Sequence, residues 1–196
     1  MVPDLHVPGH RPDRGIAEVA REEPERVRGD HRIGVEAYQH VGAGLGYYSA
    51  ILAQLVGPTG RVIAYEIESD LAARAAAYLA PWPQVEVRAV SGAAPPLPPC
   101  DVIYVNAGAT HPVAAWLDAL RVGGRLIFPL TPDDGTGCML LVTRLTATTY
   151  AARSLMRVSF IACIGARDAR ASAALRRAFA NGSVDAVRSL HRDDRP

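Results

Sequence analysis

The sequence predicts an α/β fold: a mostly parallel, doubly wound sheet with helices on both faces and an antiparallel edge. Three observations carry this. Short β-rich runs alternate with helical runs from residue 35 onward, the pattern of repeated βαβ units. A glycine-rich loop, inside "HVGAGLGYYSAIL" (40–52), joins the first strand to the first helix, where a doubly wound sheet receives its ligand. The last two β runs follow one another with no helix between them, as an antiparallel pair does.

In chain order, "VEAYQHV" (35–41) reads as a strand interrupted by Glu36, Gln39 and His40. "YYSAILAQLVG" (47–57) is a helix ended by Gly57-Pro58. "RVIAYEI" (61–67) is a strand, and 69–82 a helix capped by Ser69 or Asp70. "QVEVRAV" (84–90) alternates as a strand. "GAAPPLPPC" (92–100) is a loop and not a linker, because the alternation resumes directly after it. "DVIYVNAG" (101–108) is a buried strand, and 112–124 a helix with Pro112 near its first position and glycine past its end. "RLIFPL" (125–130) is a further buried strand, and 138–146 and 150–163 form the antiparallel pair. A capped helix follows over 168–182, with Leu175 and Phe179 four apart, then one or two more turns over 183–190. Trp82 and Trp116 are expected to pack in the core or under loops.

Residues 1–34 are rich in Pro, Arg, Glu and Asp and poor in large apolar residues. They read as an arm or short helix (13–23, with Ile16, Val19 and Ala20 on one face and Pro24 interrupting it) that acts as a lid, with the domain proper over 35–196. The chain has a net charge of +1, and arginine supplies all 21 basic side chains. That balance predicts neither a nucleic-acid nor a membrane partner. Cys100, Cys138 and Cys163 show no CxxC or zinc spacing, so no metal site is expected and buried thiols in a reducing cytoplasm are. The N-terminus lacks an apolar signal region, and no run approaches the ~18 apolar residues of a membrane span.

The glycine loop carries Gly42, Gly44 and Gly46, a GxGxG spacing. Glycine there permits positive φ and a close approach of backbone to ligand. A dinucleotide fingerprint would need GxGxxG, and Tyr47 stands where its last glycine belongs. A phosphate loop would need GK[ST], which is absent. Glu66 lies 20 residues after Gly46, at the end of the second strand. An acid at that place accepts hydrogen bonds from both hydroxyls of a ribose.

These residues carry a resemblance. "GAGLGYYSAILAQLVGPTGRVIAYEIESDLAARAAAYL" (42–79) resembles the cofactor half of class I S-adenosylmethionine-dependent methyltransferases. "DVIYVNAGATHPVAAWLDALRVGGRLIFPL" (101–130) is similar to the protein-L-isoaspartate O-methyltransferase family. The resemblance covers about residues 38 to 165. It implies a Rossmann-like sheet of seven strands with an antiparallel last strand. It implies S-adenosyl-L-methionine as cofactor and S-adenosyl-L-homocysteine as product. Gly42, Ala43, Gly44 and Gly46 would flank the methionine part, with Tyr47 beside them at the start of the helix. Glu66 would hold the ribose, with Ile67 next to it. The Ser91-Gly92 turn would edge the adenine, and Asn106 would lie beside the sulfonium. The implied reaction is O-methylation of a carboxylate on a protein or peptide of isoaspartyl type. An ionised carboxylate needs no general base, so catalysis reduces to proximity, orientation and charge relief. The acceptor would meet "NAGATHP" (106–112), with Asn106, Thr110 and His111 as contacts, although Thr110 also fits a helix cap. Arg125 and Arg144 could meet a carboxylate or sit in surface salt bridges.

The departures from the family are equally specific. His40 replaces the usual acid before the first glycine, and it reads either as a cofactor contact or as a hydrogen-bonded strand-end residue. Ser91 replaces an Asp that often follows the third strand. Residues 1–48 contain no Ser or Thr, whereas family members place a hydroxyl residue in an N-terminal segment over the substrate. Two alternatives follow: a cofactor-binding homologue with lost or altered activity, or a methyltransferase for a small molecule or modified peptide. The segment before the first strand also offers little apolar area to cover the sheet, which predicts an exposed patch and a homodimer.

Overall fold

The computed structural model describes residues 36–191 except Pro95 and Asp134. The expectations for residues 1–34 lie outside the described residues. Eight strands form one sheet: β1 (Ala37–Val41), β2 (Arg61–Tyr65), β3 (Val85–Arg88), β4 (Cys100–Val105), β5 (Leu120–Leu130), β6 (Gly137–Arg144), β7 (Thr149–Val158) and β8 (Ser189–His191). Their spatial order is β3-β2-β1-β4-β5-β6-β7-β8. Pairings from β3 to β5 are parallel, and those from β5 to β8 antiparallel. The order reverses between β1 and β4, which opens a crevice beyond their carboxyl ends.

Among the described residues four α-helices accompany the sheet: α1 (Tyr47–Val56), α2 (Ser69–Leu79), α3 (Ala114–Ala119) and α4 (Ala169–Ala180). Successive strand residues face opposite ways, so two apolar layers form. On one face Leu52 and Ala53 of α1 meet Val62, with Tyr38, Val85 and Tyr104 packed around them. On the other, Val41, Ile63, Ile103 and Phe128 join Trp116 of α3, with Phe179 of α4 against them. Each polar residue inside β1 has one partner: the Gln39 amide donates to the Pro98 carbonyl, and His40 bonds Ser49 of α1, while Gln39 Oε1 and His40 Nε2 have none among the described residues. A hydrogen-bonded amide and imidazole are tolerated inside a buried strand.

The sheet has eight strands where seven were expected, and its antiparallel part has three. The eighth forms because β7 offers an open edge: Tyr150 pairs with Leu190, and the Ala152 N–H donates to the Arg188 carbonyl at 2.9 Å. Only Ser183–Ala186 takes the expected turn, as a 3₁₀ helix. The helix expected over 112–124 is the larger correction, because α3 has six residues and β5 begins at Leu120. Cys100 pairs with Leu120 and Val102 with Arg125, so residues 121–124 bulge out of β5. Gly123 takes φ +83°, and a Cβ on Gly124 would lie 2.7 Å from the Arg121 carbonyl oxygen. These glycines bend a strand instead of ending a helix. The cap of α3 is Val113, so neither Thr110 nor Pro112 has the place assigned to it. The cap of α2 is Glu68 and makes no side-chain bond, in place of Ser69 or Asp70. The cap of α4 is Asp168, which accepts from the Ala171 N–H at 2.7 Å.

The turn into α1 depends on Gly46. Its φ is +90°, and an added Cβ would meet Leu79 Cδ1 at 2.7 Å. Gly123 has a similar φ but nothing within 4 Å. Gly46→Ala is therefore expected to destabilise the fold by about 2–3 kcal/mol and Gly123→Ala by about 1 kcal/mol. Urea midpoints measure the difference, and equal losses would show that the Leu79 contact contributes nothing.

Candidate cofactor site

The site grows from the turn between β1 and α1. Gly42, Gly44 and Gly46 all have positive φ, at 76°, 55° and 90°. This lets the chain fold back over the end of β2, where the Gly42 and Ala43 N–H groups both donate to the Tyr65 carbonyl at 3.0 Å. The Gly44 N–H donates to Glu66 Oε2 at 2.7 Å, and the Glu68 N–H donates to Glu66 Oε1 at 3.0 Å. Each carboxylate oxygen has two lone-pair sites. Glu66, 7% exposed, is thus fixed in orientation and retains one acceptor site on each oxygen. The first turn of α1 has no side-chain cap, so its free N–H groups keep the positive end of the helix available to an anion.

Beside Glu66 lies a cleft of about 300 Å³, and Gly42, Gly44, Ile67, Ser91, Gly92 and Asn106 are among the residues lining it. The structure thus brings together seven of the residues selected from the sequence. The Ser91-Gly92 turn is held from behind. Ser91 Oγ accepts from the Ala93 N–H at 3.2 Å, and Trp116 Nε1 donates to the Gly92 carbonyl at 2.8 Å. A Cβ on Gly92 would lie 2.7 Å from Val41 Cγ2, so only glycine lets this turn sit so close to β1. Asn106 directly follows β4, and its Oδ1 accepts from the Tyr104 hydroxyl at 3.3 Å, which leaves its two N–H donors facing the cleft.

Ala43, Gly46, Tyr47 and His40 lie outside the cleft lining. Ala43 is buried within the turn, and Tyr47 is 72% exposed. His40 is fully buried behind the turn, with Nδ1 2.7 Å from Ser49 Oγ and its ring stacked on Tyr104 at 5.3 Å. Its Nε2 has no hydrogen-bond partner among the described residues. Burial pushes its pKa down to about 4, so the ring is neutral at pH 7. Thr110 and His111 also lie outside the cleft. Thr110 Oγ1 sits 3.0 Å from His111 Nδ1 and accepts from the Asp168 N–H at 2.9 Å. Arg144 donates to the Thr146 and Ala147 carbonyls at 3.1 and 3.0 Å, so it secures the β6–β7 turn, and it forms no salt bridge among the described residues.

One wall was not foreseen. Ile161, Ala162, Cys163 and Ile164 line the cleft, although the sequence read 150–163 as one strand. β7 stops at Val158 because the next residues pair elsewhere: the Gly108 N–H donates to the Ile161 carbonyl at 2.7 Å, and the Cys163 N–H to the Gly108 carbonyl at 2.8 Å. Ile161 is 80% exposed and Ile164 61%. Two large apolar residues at the mouth were the available signal. Burial also raises the Cys163 thiol pKa, partly offset by Arg167.

The family model for "Protein-L-isoaspartate(D-aspartate) O-methyltransferase" matches residues 34–168. A protein-L-isoaspartate O-methyltransferase of Ignicoccus hospitalis is 34% identical over 63% of this chain and 60% of its own length. The protein-L-isoaspartate O-methyltransferase 1 of Rhodopseudomonas palustris is 35% identical over 67% of this chain and 54% of its own. The chain therefore spans less than two thirds of these relatives. A solved protein-L-isoaspartate O-methyltransferase superposes with a TM-score of 0.60 at 23% identity, over 66% of this chain and 42% of the other. A Plasmodium falciparum structure of the same description, in complex with S-adenosyl-L-homocysteine, gives 0.58 at 19% identity over 66% of each chain. Both structural likenesses bear on the fold.

His40 makes stability depend on pH. An unfolded histidine titrates near its ordinary value of 6.5 and the folded one near 4. As pH falls through that window the unfolded chain takes up a proton that the folded chain refuses. Stability contributed by the neutral ring is present above 6.5, drains away down to 4, and changes no further below. The expected loss is about 3 kcal/mol. Denaturant titrations of His40→Gln should lack this slope, and identical slopes in the two proteins would refute it.

Proposed function

The chain belongs to the protein-L-isoaspartate(D-aspartate) O-methyltransferase family, and on that premise we propose that it binds S-adenosyl-L-methionine and transfers the methyl group to a carboxylate of a protein or peptide. The observation that carries this reading is Glu66, oriented by the Gly44 and Glu68 N–H groups at the edge of the glycine-loop cleft. Its two remaining acceptor sites suit the vicinal hydroxyls of a ribose. Gly42 and Gly44 would admit the amino-acid part, Ser91 and Gly92 the base, and Asn106 the reacting end. Ala43, Gly46 and Tyr47 would shape the loop, Ile67 would give an apolar contact, and His40 would support the turn from behind.

When bound, the cofactor supplies an electrophilic methyl group on a positive sulfur. Everything else falls to this chain: to hold the donor, orient the acceptor and exclude water. The described residues around the cleft contain no histidine or lysine that could serve as a general base, and a carboxylate acceptor requires none. Thr110 and His111 stand near the acceptor side as supports for the β4 exit. The protein is proposed to act in the cytoplasm, which suits the buried thiols Cys100, Cys138 and Cys163. No helix among the described residues is long and apolar enough to cross a membrane.

A second reading is a homologue that binds cofactor with lost or altered turnover. It is favoured by residues 1–48, where no Ser or Thr exists to meet the acceptor. Labelled-methyl transfer to a panel of isoaspartyl peptides separates the two, and the missing hydroxyl predicts slow turnover of ordinary ones. A homodimer is also proposed, because Tyr47, Ile51 and Leu55 form an exposed apolar stripe along α1. Light scattering is expected to give twice the 20.9 kDa chain mass, and the monomer mass at micromolar concentration would rule the dimer out.

S-adenosylhomocysteine is expected to bind and raise the melting temperature. Glu66→Ala should weaken binding by about 1.5–3 kcal/mol, the contribution of a charge-assisted hydrogen bond. Calorimetry without heat at millimolar ligand would overturn the cofactor reading.

A further inference from the structure

A second cavity of about 350 Å³ adjoins the first. It is lined by Asp133, Gly135, Thr136, Ser159, Phe160 and Arg167, among others, and Ala162 belongs to the walls of both. It opens past the ends of β5 and β7, on the side of the sheet where the cofactor cleft lies. The methyl-transfer reading does not use it.

Its polar groups are held in place. Arg167 Nη1 donates to the Gly108 carbonyl at 2.8 Å, the Thr131 carbonyl at 3.1 Å and Thr131 Oγ1 at 3.0 Å. Arg167 Nε donates to Asp133 Oδ1 at 2.9 Å, and Nη2 donates to the same oxygen. A guanidinium has five N–H groups, so one on Nη2 has no acceptor among the described residues. Both bonds fall on Asp133 Oδ1, so the guanidinium does not take Oδ2. The guanidinium holds the Asp133 carboxyl below its ordinary pKa, with help from Ser172. Arg167 and Asp133 therefore cancel in charge and present one rigid donor and one rigid acceptor. The hydroxyls of Thr136 and Ser159 add two adaptable groups.

A free carboxylate is a poor occupant, since Asp133 stands where it would be received. An amide suits better: its N–H meets Asp133 Oδ2, and its C=O meets Arg167 Nη2–H or a hydroxyl. Arg167 is the partly buried member of the pair and Asp133 the exposed one, so the guanidinium is the fixed end against which an amide would align. We propose that this cavity is an acceptor subsite, in which Asp133 and Arg167 grip a main-chain amide next to the carboxylate that is methylated. It rests on the methyl-transfer reading, and it makes these two residues determinants of acceptor specificity.

The test uses the full chain and two ligands: S-adenosylhomocysteine, and a blocked synthetic isoaspartyl hexapeptide titrated by calorimetry in its presence. Asp133→Ala and Ser159→Ala are each expected to weaken the peptide by about 5- to 30-fold, the usual effect of one lost polar contact. Their affinity for S-adenosylhomocysteine should stay within about twofold of wild type. Asp133→Ala should also let succinate compete with the peptide, because Arg167 then lacks its counter-charge. Succinate should not compete on the wild-type chain. A merely misfolded variant would lose both ligands and gain none. Wild-type peptide affinity in both variants would overturn the subsite, and so would a cofactor-bound chain that takes no peptide. A chain that binds peptide in this variant-sensitive way but no S-adenosylhomocysteine would sink the methyl-donor reading and leave the subsite standing.

Discussion

The end of β2 carries the turn on which the site depends. Two backbone amides, of Gly42 and Ala43, converge on the Tyr65 carbonyl, and a third, of Gly44, closes on the Glu66 carboxylate. The chain reaches this geometry because three of five residues from Gly42 to Gly46 take positive φ, which side chains other than glycine adopt at a cost. One consequence is mechanical: α1 starts where the turn leaves it, with Gly46 pressed on Leu79 of α2. The other is chemical. Glu66 is oriented by the Gly44 and Glu68 N–H groups of the fold itself.

The layer beneath α1 supports the same turn from the opposite side. His40, Ser49, Tyr104 and Tyr48 form a packed polar–aromatic cluster. Tyr104 also reaches Asn106 at the cleft. A neutral imidazole is the form that burial permits here. A family pattern with an acid at this position would place a charge in the same surroundings, and His40 avoids that burial by staying uncharged. His40 contributes packing and one hydrogen bond to the strand end.

The antiparallel half of the sheet brings distant chain to the site. β5 to β7 run as a meander, with β8 added antiparallel after α4, and the residues after β7 return to Gly108 instead of continuing as strand. That return supplies Ile161 to Ile164 to the cofactor cleft and Arg167 to the neighbouring cavity. Trp116 acts comparably from α3, where its indole N–H sets the Gly92 carbonyl and so the shape of the Ser91 turn.

Local signals were enough for most of the architecture. The alternation of β and α runs gave the class, the glycine spacing located the positive-φ turn beside the cleft, and Glu66 fell at the strand end where counting put it. Gly42, Gly44, Ser91 and Asn106 were legible because turn chemistry and strand ends act within a few residues of the chain. Other features lay beyond such reading. Residues 120–124 look helical by sequence, yet β4 draws Leu120 into pairing and the surplus bulges at Gly123. β8 exists only because β7 has an open edge. His40 and Thr110 were ambiguous until Ser49 and the Asp168 N–H were seen to claim them. In each case the deciding partner lies on another element. Periodicity records which way a side chain faces, but pairing energy between elements remote in sequence decides what it meets.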